Sequence, residues 1–214
     1  MTWRRWLPLT GIAFVVVVVL AVLLSGSTPG TDDAASKVAS FYNEHQNREV
    51  VASFLLAASA PFLVIFTCVA AQRWGGGEGG GARVWPLVFI GGSVLLGAII
   101  LVLATVHFAL ADGADNGVAP GGLQALNLLD NNFWVGANAA LGVMMLGAAG
   151  TLLLMRLRGA RWLGWIALLL GVLLFIPFAD FFALLASLLW ILVVSVMLTR
   201  GGEGGRPATA RART

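Results

Sequence analysis

The stretch Phe175-Ile-Pro-Phe-Ala-Asp180 interrupts an apolar run from Trp162 to Leu198, and it determines how often the chain is predicted to cross a membrane. As a single helix, the run would extend roughly 55 Å at about 1.5 Å per residue, well beyond a hydrocarbon core of about 30 Å. Pro177 cannot continue the helical hydrogen-bond ladder, and Asp180 would cost about 2.5 kcal/mol or more at the bilayer centre. The run therefore predicts two membrane spans joined by a turn, with Asp180 as the N-cap of the second.

The composition of the whole chain is that of an integral membrane protein. Hydrophobic residues make up 59% of the 214 residues and charged residues only 11%, and the mean hydropathy is +0.90. This leaves too little polar surface for a soluble globule. The basic residues form no stripe interleaved with aromatics, so we expect lipid headgroups and not nucleic acid as anionic neighbours. A single cysteine, Cys68, excludes an intramolecular disulfide.

The apolar segments predict an all-α helical bundle with six transmembrane helices and both termini in the cytoplasm. The predicted spans cover residues 6–25, 50–71, 86–110, 133–155, 162–176 and 181–198. They form one domain, 1–199, followed by a basic, disordered cytoplasmic tail, 200–214. The first span could be a signal peptide, but it is longer than an h-region and no A-x-A-like site follows, which favours a retained helix.

The segments between the spans carry the polar residues. Thr31-Asp-Asp33 is a helix-start signal, and the residues after it predict a short amphipathic helix in the first outer loop. That helix would lie on the membrane surface or cap the bundle. The glycine-rich stretch from Trp74 to Arg83 is expected to be a flexible connector and lacks a P-loop pattern, and Asp112 to Asn132 is expected to be a polar loop.

The distribution of charge fixes the predicted orientation. With the N-terminus inside, only Lys37 and Arg48 of the 13 basic residues lie outside. Only Glu78 and Glu203 of the 10 acidic residues lie inside. This agrees with the positive-inside rule, whereas a five-span arrangement would export the arginines of the tail.

Three segments resemble those of a group of uncharacterised bacterial six-helix membrane proteins. They are Asp32-Asp-Ala-Ala-Ser-Lys-Val-Ala-Ser-Phe-Tyr-Asn-Glu-His45, Leu126-Asn-Leu-Leu-Asp-Asn-Asn-Phe-Trp134 and Arg161-Trp-Leu-Gly-Trp-Ile166. The likeness covers most of the chain from about residue 32 to 198. It implies a bacterial inner (plasma) membrane location and carries over no catalytic residues.

Four polar residues are candidate ligand-binding residues: His107, Asp130, Asn138 and Asp180. His107 would lie roughly 32 Å along the third span, near the outer boundary of the hydrocarbon. Its outer-side neighbours include Asp130, Asp180 and Glu49, and carboxylates around an imidazole could bind a cation or relay protons. We expect the outer ends of spans three, four and six to bring His107, Asp130 and Asp180 around one polar pocket. The alternative is that the acids are loop residues and helix caps.

Asn138 is the clearest polar signal inside a predicted span. It shares a helical face with Asn131, Gly142, Met145 and Ala149, so we expect it to be buried between helices. Ser53 or Ser59 on the second span would be its hydrogen-bond partner. The two alternatives for Asn138 are structural pairing and the lining of a small ligand cavity.

These features favour binding over catalysis. No nucleophile–base pair or paired-carboxylate motif stands out, so we expect no enzyme activity, no cofactor and no metal site. The predicted function is a helix-bundle protein that binds a small apolar molecule or a membrane partner, with homo-oligomerisation as one form of partnership. The alternative is a small-molecule transporter with an outward-facing polar pocket.

Overall fold

The computed structural model describes residues 6–74, 80–154 and 160–201, and these ranges are helical apart from short turns. A 3-10 turn at Leu7–Leu9 leads into the first helix. The helices are α1 (Thr10–Ser25), α2 (Ala35–Glu44), α3 (Gln46–Trp74), α4 (Gly80–Asp115), α5 (Pro120–Asn132), α6 (Trp134–Leu154), α7 (Arg161–Leu173) and α8 (Asp180–Gly201). The predicted all-helical class is confirmed for the described ranges.

Five helical segments are long and apolar enough to cross a membrane. They are Leu7–Ser25, Gln46–Trp74, Val84–Asp115, Pro120–Leu154 and Asp180–Arg200. The apolar helix α7 has only 13 residues, which extend about 20 Å and fall short of a hydrocarbon core of about 30 Å. The chain is thus a helical membrane protein with at least five helices of spanning length.

The long helices pack in a closed order around the bundle. Helix α1 packs against α3, α3 against α4, α4 against α6, α6 against α7, and α7 against α8, which returns to α1. The turn between α7 and α8 lies where Pro177 predicts it. There the backbone N–H groups of Ala179 and Asp180 both donate to the carbonyl of Ile176, at 3.1 Å each.

Helices α4 and α6 approach each other closely through glycine. A methyl group at Gly92 would meet Cα of Met144 at 2.6 Å, and one at Gly147 would meet Cα of Phe89 at 2.6 Å. Each glycine therefore lets the backbone of the facing helix approach where a side chain would block it. Phe89 of α4 also contacts α3, because the ring of Trp74 stacks on it with ring centroids 5.7 Å apart.

Helices α2 and α5 form a cap over one end of α4. A second apolar core lies between these three helices and consists of Val38, Tyr42, Leu110, Ala111 and Leu123. Helix α2 lies in the α1–α3 segment for which a short amphipathic helix is predicted, and it packs against α4 and α5. The predicted polar loop from Asp112 to Asn132 is wrong, because α4 continues to Asp115 and α5 begins at Pro120. Leu123 and Asn127, spaced by one helical turn, face inward and make this segment a packed helix.

Two helices extend beyond the predicted spans. Helix α3 begins at Gln46, before the predicted span 50–71, and α4 begins at Gly80, inside the predicted flexible connector. Continuing the helix satisfies backbone groups that lipid cannot solvate. Residues 75–79 of the connector and 202–214 of the predicted tail lie outside the described residues, while Arg200 and Gly201 belong to the end of α8.

Candidate functional site: a buried carboxylate–imidazole network

Glu49 is the centre of a buried polar network at the capped end of the bundle. It lies in the first turn of α3, and its side chain is fully buried. Oε1 accepts two hydrogen bonds from the Arg48 guanidinium, from Nε at 3.0 Å and from Nη2 at 2.8 Å. Oε2 accepts the hydroxyl of Ser25 and faces Nε2 of His107 at 2.8 Å. Both carboxylate oxygens are therefore satisfied, as a buried charge requires.

His107 bridges two carboxylates. Its Nε2 faces Glu49, and its Nδ1 lies 3.4 Å from Oδ1 and 3.3 Å from Oδ2 of Asp130. An ionised carboxylate only accepts hydrogen bonds, whereas a neutral imidazole has a single N–H donor. A ring that serves both carboxylates must donate from both nitrogens, so this geometry fits a doubly protonated imidazolium. With Arg48, the network then holds two positive and two negative charges.

Ser25, the last residue of α1, stands beside the same imidazole. Its Oγ lies 3.0 Å from Nε2 of His107 while it donates to Glu49. Ser25, His107 and Asp130 therefore have the order of contacts found in nucleophile, base and orienting acid. Glu49 is an additional member that such a triad lacks, and it competes with Ser25 for Nε2.

Tyr42 packs against the network from α2. Its side chain is fully buried, and its ring meets the His107 ring edge-on with centroids 5.9 Å apart. The hydroxyl has no hydrogen-bond partner within the described part of the chain. Burial raises the pKa of the Tyr42 phenol above its ordinary range, and the nearby carboxylates of Asp130 and Glu49 raise it further. The phenol thus stays neutral beside two anions.

The position of Asp130 depends on side-chain amides of α5. Asn127 donates to the carbonyls of Pro29 and Gly30, at 3.3 and 3.2 Å, and Asn131 donates to that of Pro29 at 3.1 Å. These bonds tie α5 to the α1–α2 connection. Since Asp130 lies between these two asparagines in sequence, the same attachment holds its carboxylate over His107.

A cleft of about 270 Å³ opens onto this network, and we call it the network cleft. One part of its lining is apolar, and the other part is polar. The lining comprises Ala21, Val22, Ser25, Gly26, Thr28, Ala52, Leu56, Leu103, His107, Asp130 and Asn131. A small cleft with an apolar body and polar groups at one end fits an amphipathic molecule.

A second polar pair lies between α6 and α8. Asn138 Nδ2 donates to Oδ2 of Asp180 at 2.9 Å, and both residues are buried. These two residues line another cleft, of about 460 Å³, which we call the α6–α8 cleft. The predicted burial of Asn138 is confirmed. Its predicted partners are wrong, because Ser53 and Ser59 donate to carbonyls of their own helix, those of Glu49 and Leu56.

The four predicted site residues thus form two pairs and not one shared pocket. His107 and Asp130 line the network cleft, whereas Asn138 and Asp180 line the α6–α8 cleft. Asp180 begins α8 as predicted, but its carboxylate accepts the Asn138 amide in place of a simple cap. The sequence predicted Glu49 among the outer-side groups near His107, but it gave no sign that Ser25 joins them. The signal for Glu49 was an acidic residue paired with Arg48 at the start of an apolar run.

No group of three or more His, Cys, Asp or Glu residues within the described ranges is arranged to hold a metal ion. Fold and site together define a helical membrane protein with a buried charged network beneath a helical cap. Comparison with known proteins adds no family to this class. No family model matches the chain, and no curated protein or solved structure gives a significant match.

Proposed function

We propose that this protein is a six-span protein of a bacterial plasma membrane that binds a small amphipathic molecule in the network cleft. The observation that carries the proposal is the division of the cleft between an apolar wall and a polar end. Leu103 lies one helical turn before His107 on α4, and Ala21 lies one turn before Ser25 on α1. The apolar residues therefore lie towards the middle of the bundle and the polar ones towards its end. The predicted transporter would use the same cleft as its outer site.

The chemistry of the cleft favours a neutral polar head. With His107 as an imidazolium, the network has no net charge, because Arg48 and His107 are positive and Glu49 and Asp130 are negative. A charged ligand would therefore find no unpaired opposite charge in the network. The hydroxyl of Thr28 offers a donor and an acceptor, and the amide oxygen of Asn131 offers a second acceptor. A short alkyl chain ending in hydroxyl groups would match both halves of the lining.

The six-span arrangement is supported by charge. The network joins the end of α1, the start of α3 and the end of α4, which places these ends on one side of the bundle. Lys37 and Arg48 are the only basic residues predicted for that side, which we assign to the outside. Helix α7 would then cross as a short span. Either the bilayer is locally thinner there, or the turn after α7 spans the rest of the hydrocarbon core.

The binding experiment uses protection of a cysteine in the cleft. Thr28→Cys is made in a Cys68→Ser background, and labelling by a maleimide is followed in detergent with increasing hexane-1,2-diol. We expect the diol to slow labelling in a saturable manner at concentrations of about 1 mM or higher, since 1 mM affinity corresponds to only about 4 kcal/mol.

Two tryptophan variants on α4 provide the matched comparison. Leu103→Trp fills the cleft and should abolish protection, whereas Leu101, exposed on the same helix, does not line it, so Leu101→Trp should preserve protection. Protection that never saturates, or that survives Leu103→Trp unchanged, would contradict binding in this cleft.

A second candidate function, acyl transfer, is favoured by one observation: the order of contacts from Ser25 to His107 to Asp130. Ser25 Oγ would attack an acyl carbonyl, pass its proton through His107 to the leaving group and release the acyl chain to water. The imidazolium form opposes this, because it has no lone pair to receive the serine proton. A fluorophosphonate probe tests it. Labelling that is lost in Ser25→Ala but kept in Ser27→Ala would favour acyl transfer, and no labelling would exclude it.

A further inference from the structure

Asn138 carries a buried acceptor without a donor. Its side-chain Nδ2 is used by Asp180, but its Oδ1 is buried and has no hydrogen-bond partner within the described part of the chain. A buried carbonyl oxygen that has lost its water gains a partner only if a donor is brought to it. Asn138 lines the α6–α8 cleft, so a ligand there is placed to supply that donor.

The other polar group of this cleft is a carboxylate. Asp180 is 8% exposed, and its one described side-chain hydrogen bond comes from Asn138 to Oδ2. It lies in the first turn of α8, where the helix dipole contributes roughly half a positive charge. The full negative charge of an ionised carboxylate exceeds that contribution. The polar end of the cleft therefore attracts a cation, despite the partial positive charge at the N-terminus of α8.

Three aromatic side chains also line the cleft: Trp134, Phe178 and Phe181. Phe178 is 93% exposed and has a φ of 70°, so its ring stands out from the turn without packing that would explain its position. Aromatic faces attract cations, and a carboxylate with several rings is the arrangement that binds ammonium groups.

We propose that the α6–α8 cleft binds a primary ammonium group, held by Asp180, Asn138 Oδ1 and the surrounding rings. The N–H groups are essential to the proposal, because Asn138 Oδ1 needs a donor and a quaternary ammonium has none. This site is separate from the network cleft and does not depend on its ligand.

Two sources supply such a group: the headgroup of phosphatidylethanolamine and a free amine. The lipid is favoured by the surface that continues along α8 from the cleft. Phe181, Leu185 and Leu189 follow one another at one-turn spacing and are 61%, 49% and 61% exposed. An acyl chain would lie along this row while its headgroup enters the cleft.

The test measures the thermal unfolding midpoint of the full chain in detergent with three added probes: short-chain phosphatidylethanolamine, the matched phosphatidylcholine and ethanolamine. We expect phosphatidylethanolamine to raise the midpoint in a saturable manner, with an apparent affinity about tenfold or more above that of phosphatidylcholine. Stabilisation by the lipid alone assigns the headgroup as ligand, and stabilisation by ethanolamine as well assigns the amine itself. The proposal would be overturned if the two lipids had equal effects. It would also be overturned if neither phosphatidylethanolamine nor ethanolamine raised the midpoint.

Variants locate the effect. Asp180→Asn should weaken the lipid effect about tenfold or more. Phe178→Ala, which removes an exposed ring and leaves the bundle intact, should weaken it about three- to tenfold, the range of one cation–π contact. Phe182→Ala is the control, since Phe182 is 72% exposed beside the cleft but does not line it. If Phe178→Ala and Phe182→Ala behave alike, the aromatic contribution is absent and the site is wrong. Leu103→Trp, in the network cleft, should leave the lipid effect unchanged.

Discussion

At the scale of single residues, the buried carboxylate of Glu49 is a costly group to keep ionised. Removing an ion from water costs several kcal/mol even after the protein relaxes, so a buried charge persists only where opposite charges and donors surround it. Here Arg48, Ser25 and His107 all contact it. Such an arrangement commonly serves function more than stability, because apolar residues would pack at lower cost.

Tyr42 gives this region a spectroscopic probe, because it is the only tyrosine among the 214 residues. An ordinary phenol ionises at a pKa of about 10, but burial and the nearby carboxylates raise the pKa of Tyr42. Above about pH 10, the unfolded chain loses the phenolic proton that the native chain keeps, so stability falls as pH rises. We expect no tyrosinate absorption at about pH 10 to 11 while the circular dichroism is still native, and its appearance on unfolding.

The control for this prediction is the chain unfolded in denaturant, which should titrate near the ordinary value. A native chain that titrates at the same pH as the unfolded one would show that the Tyr42 hydroxyl reaches water. It would then contradict the sealed packing of α2 against α4.

At the scale of elements, the crossing of α4 and α6 depends on glycine at the contact. Lipid offers no hydrophobic drive between helices, so close backbone approach and van der Waals contact hold them together. Gly92 and Gly147 face each other's helices in this way, through Met144 and Phe89. Helix α4 contributes Leu103 and His107 to the network cleft, and α6 contributes Asn138 to the α6–α8 cleft, so the crossing connects one wall of each site.

Neighbouring glycines on α4 allow a matched test of that crossing. A methyl group at Gly92 would overlap the backbone of Met144, whereas one at Gly91 would meet nothing within 4 Å. Gly92→Ala should destabilise the protein by about 1 to 3 kcal/mol, the cost of overpacking. Gly91→Ala should be neutral or slightly stabilising, since alanine is the better helix former by up to about 1 kcal/mol. Unfolding midpoints in detergent compare the two, and equal midpoints would place the α4–α6 contact elsewhere.

At the scale of the whole molecule, the arrangement separates two chemically different ends. The buried network, the cap of α2 and α5 and the Asn138–Asp180 pair belong to one end of the bundle. Arg73 of α3 hydrogen-bonds the carbonyl of Leu198 of α8, and this contact belongs to the other end. The proposed orientation places the first end outside the cell.

Labelling of intact cells tests that orientation. Asn116→Cys lies in the exposed turn between α4 and α5, and Arg161→Cys lies at the exposed start of α7, each in a Cys68→Ser background. A membrane-impermeant maleimide should label Asn116→Cys in intact cells and Arg161→Cys only after the membrane is opened. Labelling of both sites in sealed cells would mean that the α5–α6 segment does not cross the membrane. Labelling of Arg161→Cys alone would mean that the orientation is the opposite of the proposed one.

The elements could be predicted with little error where one property of a local segment decides them. Hydropathy over about 20 residues identified α1, α3, α4, α6 and α8, and Pro177 identified the turn before α8. Helix α5 was missed because only two of its residues, Leu123 and Asn127, are buried, which is too few for a clear periodic pattern. Leu123 is covered by residues of α2 and α4, which are distant in the sequence. Asn138 could be recognised as buried because an amide in hydrocarbon needs a partner, whichever partner that is.

The sequence by itself determined the class of this protein, the positions of its apolar helices and the burial of Asn138, because hydropathy and periodicity are properties of a segment alone. Only the tertiary structure decided that Glu49 is buried with Ser25 and His107, that Asp130 joins them, and that Asp180 pairs with Asn138 in a different cleft. Those contacts connect residues separated by 23 to 82 positions in the chain. The physical reason is that the composition of an apolar helix does not specify which other helix it packs against. Which of its faces meets lipid, and which meets a charge, is settled only when the helices pack.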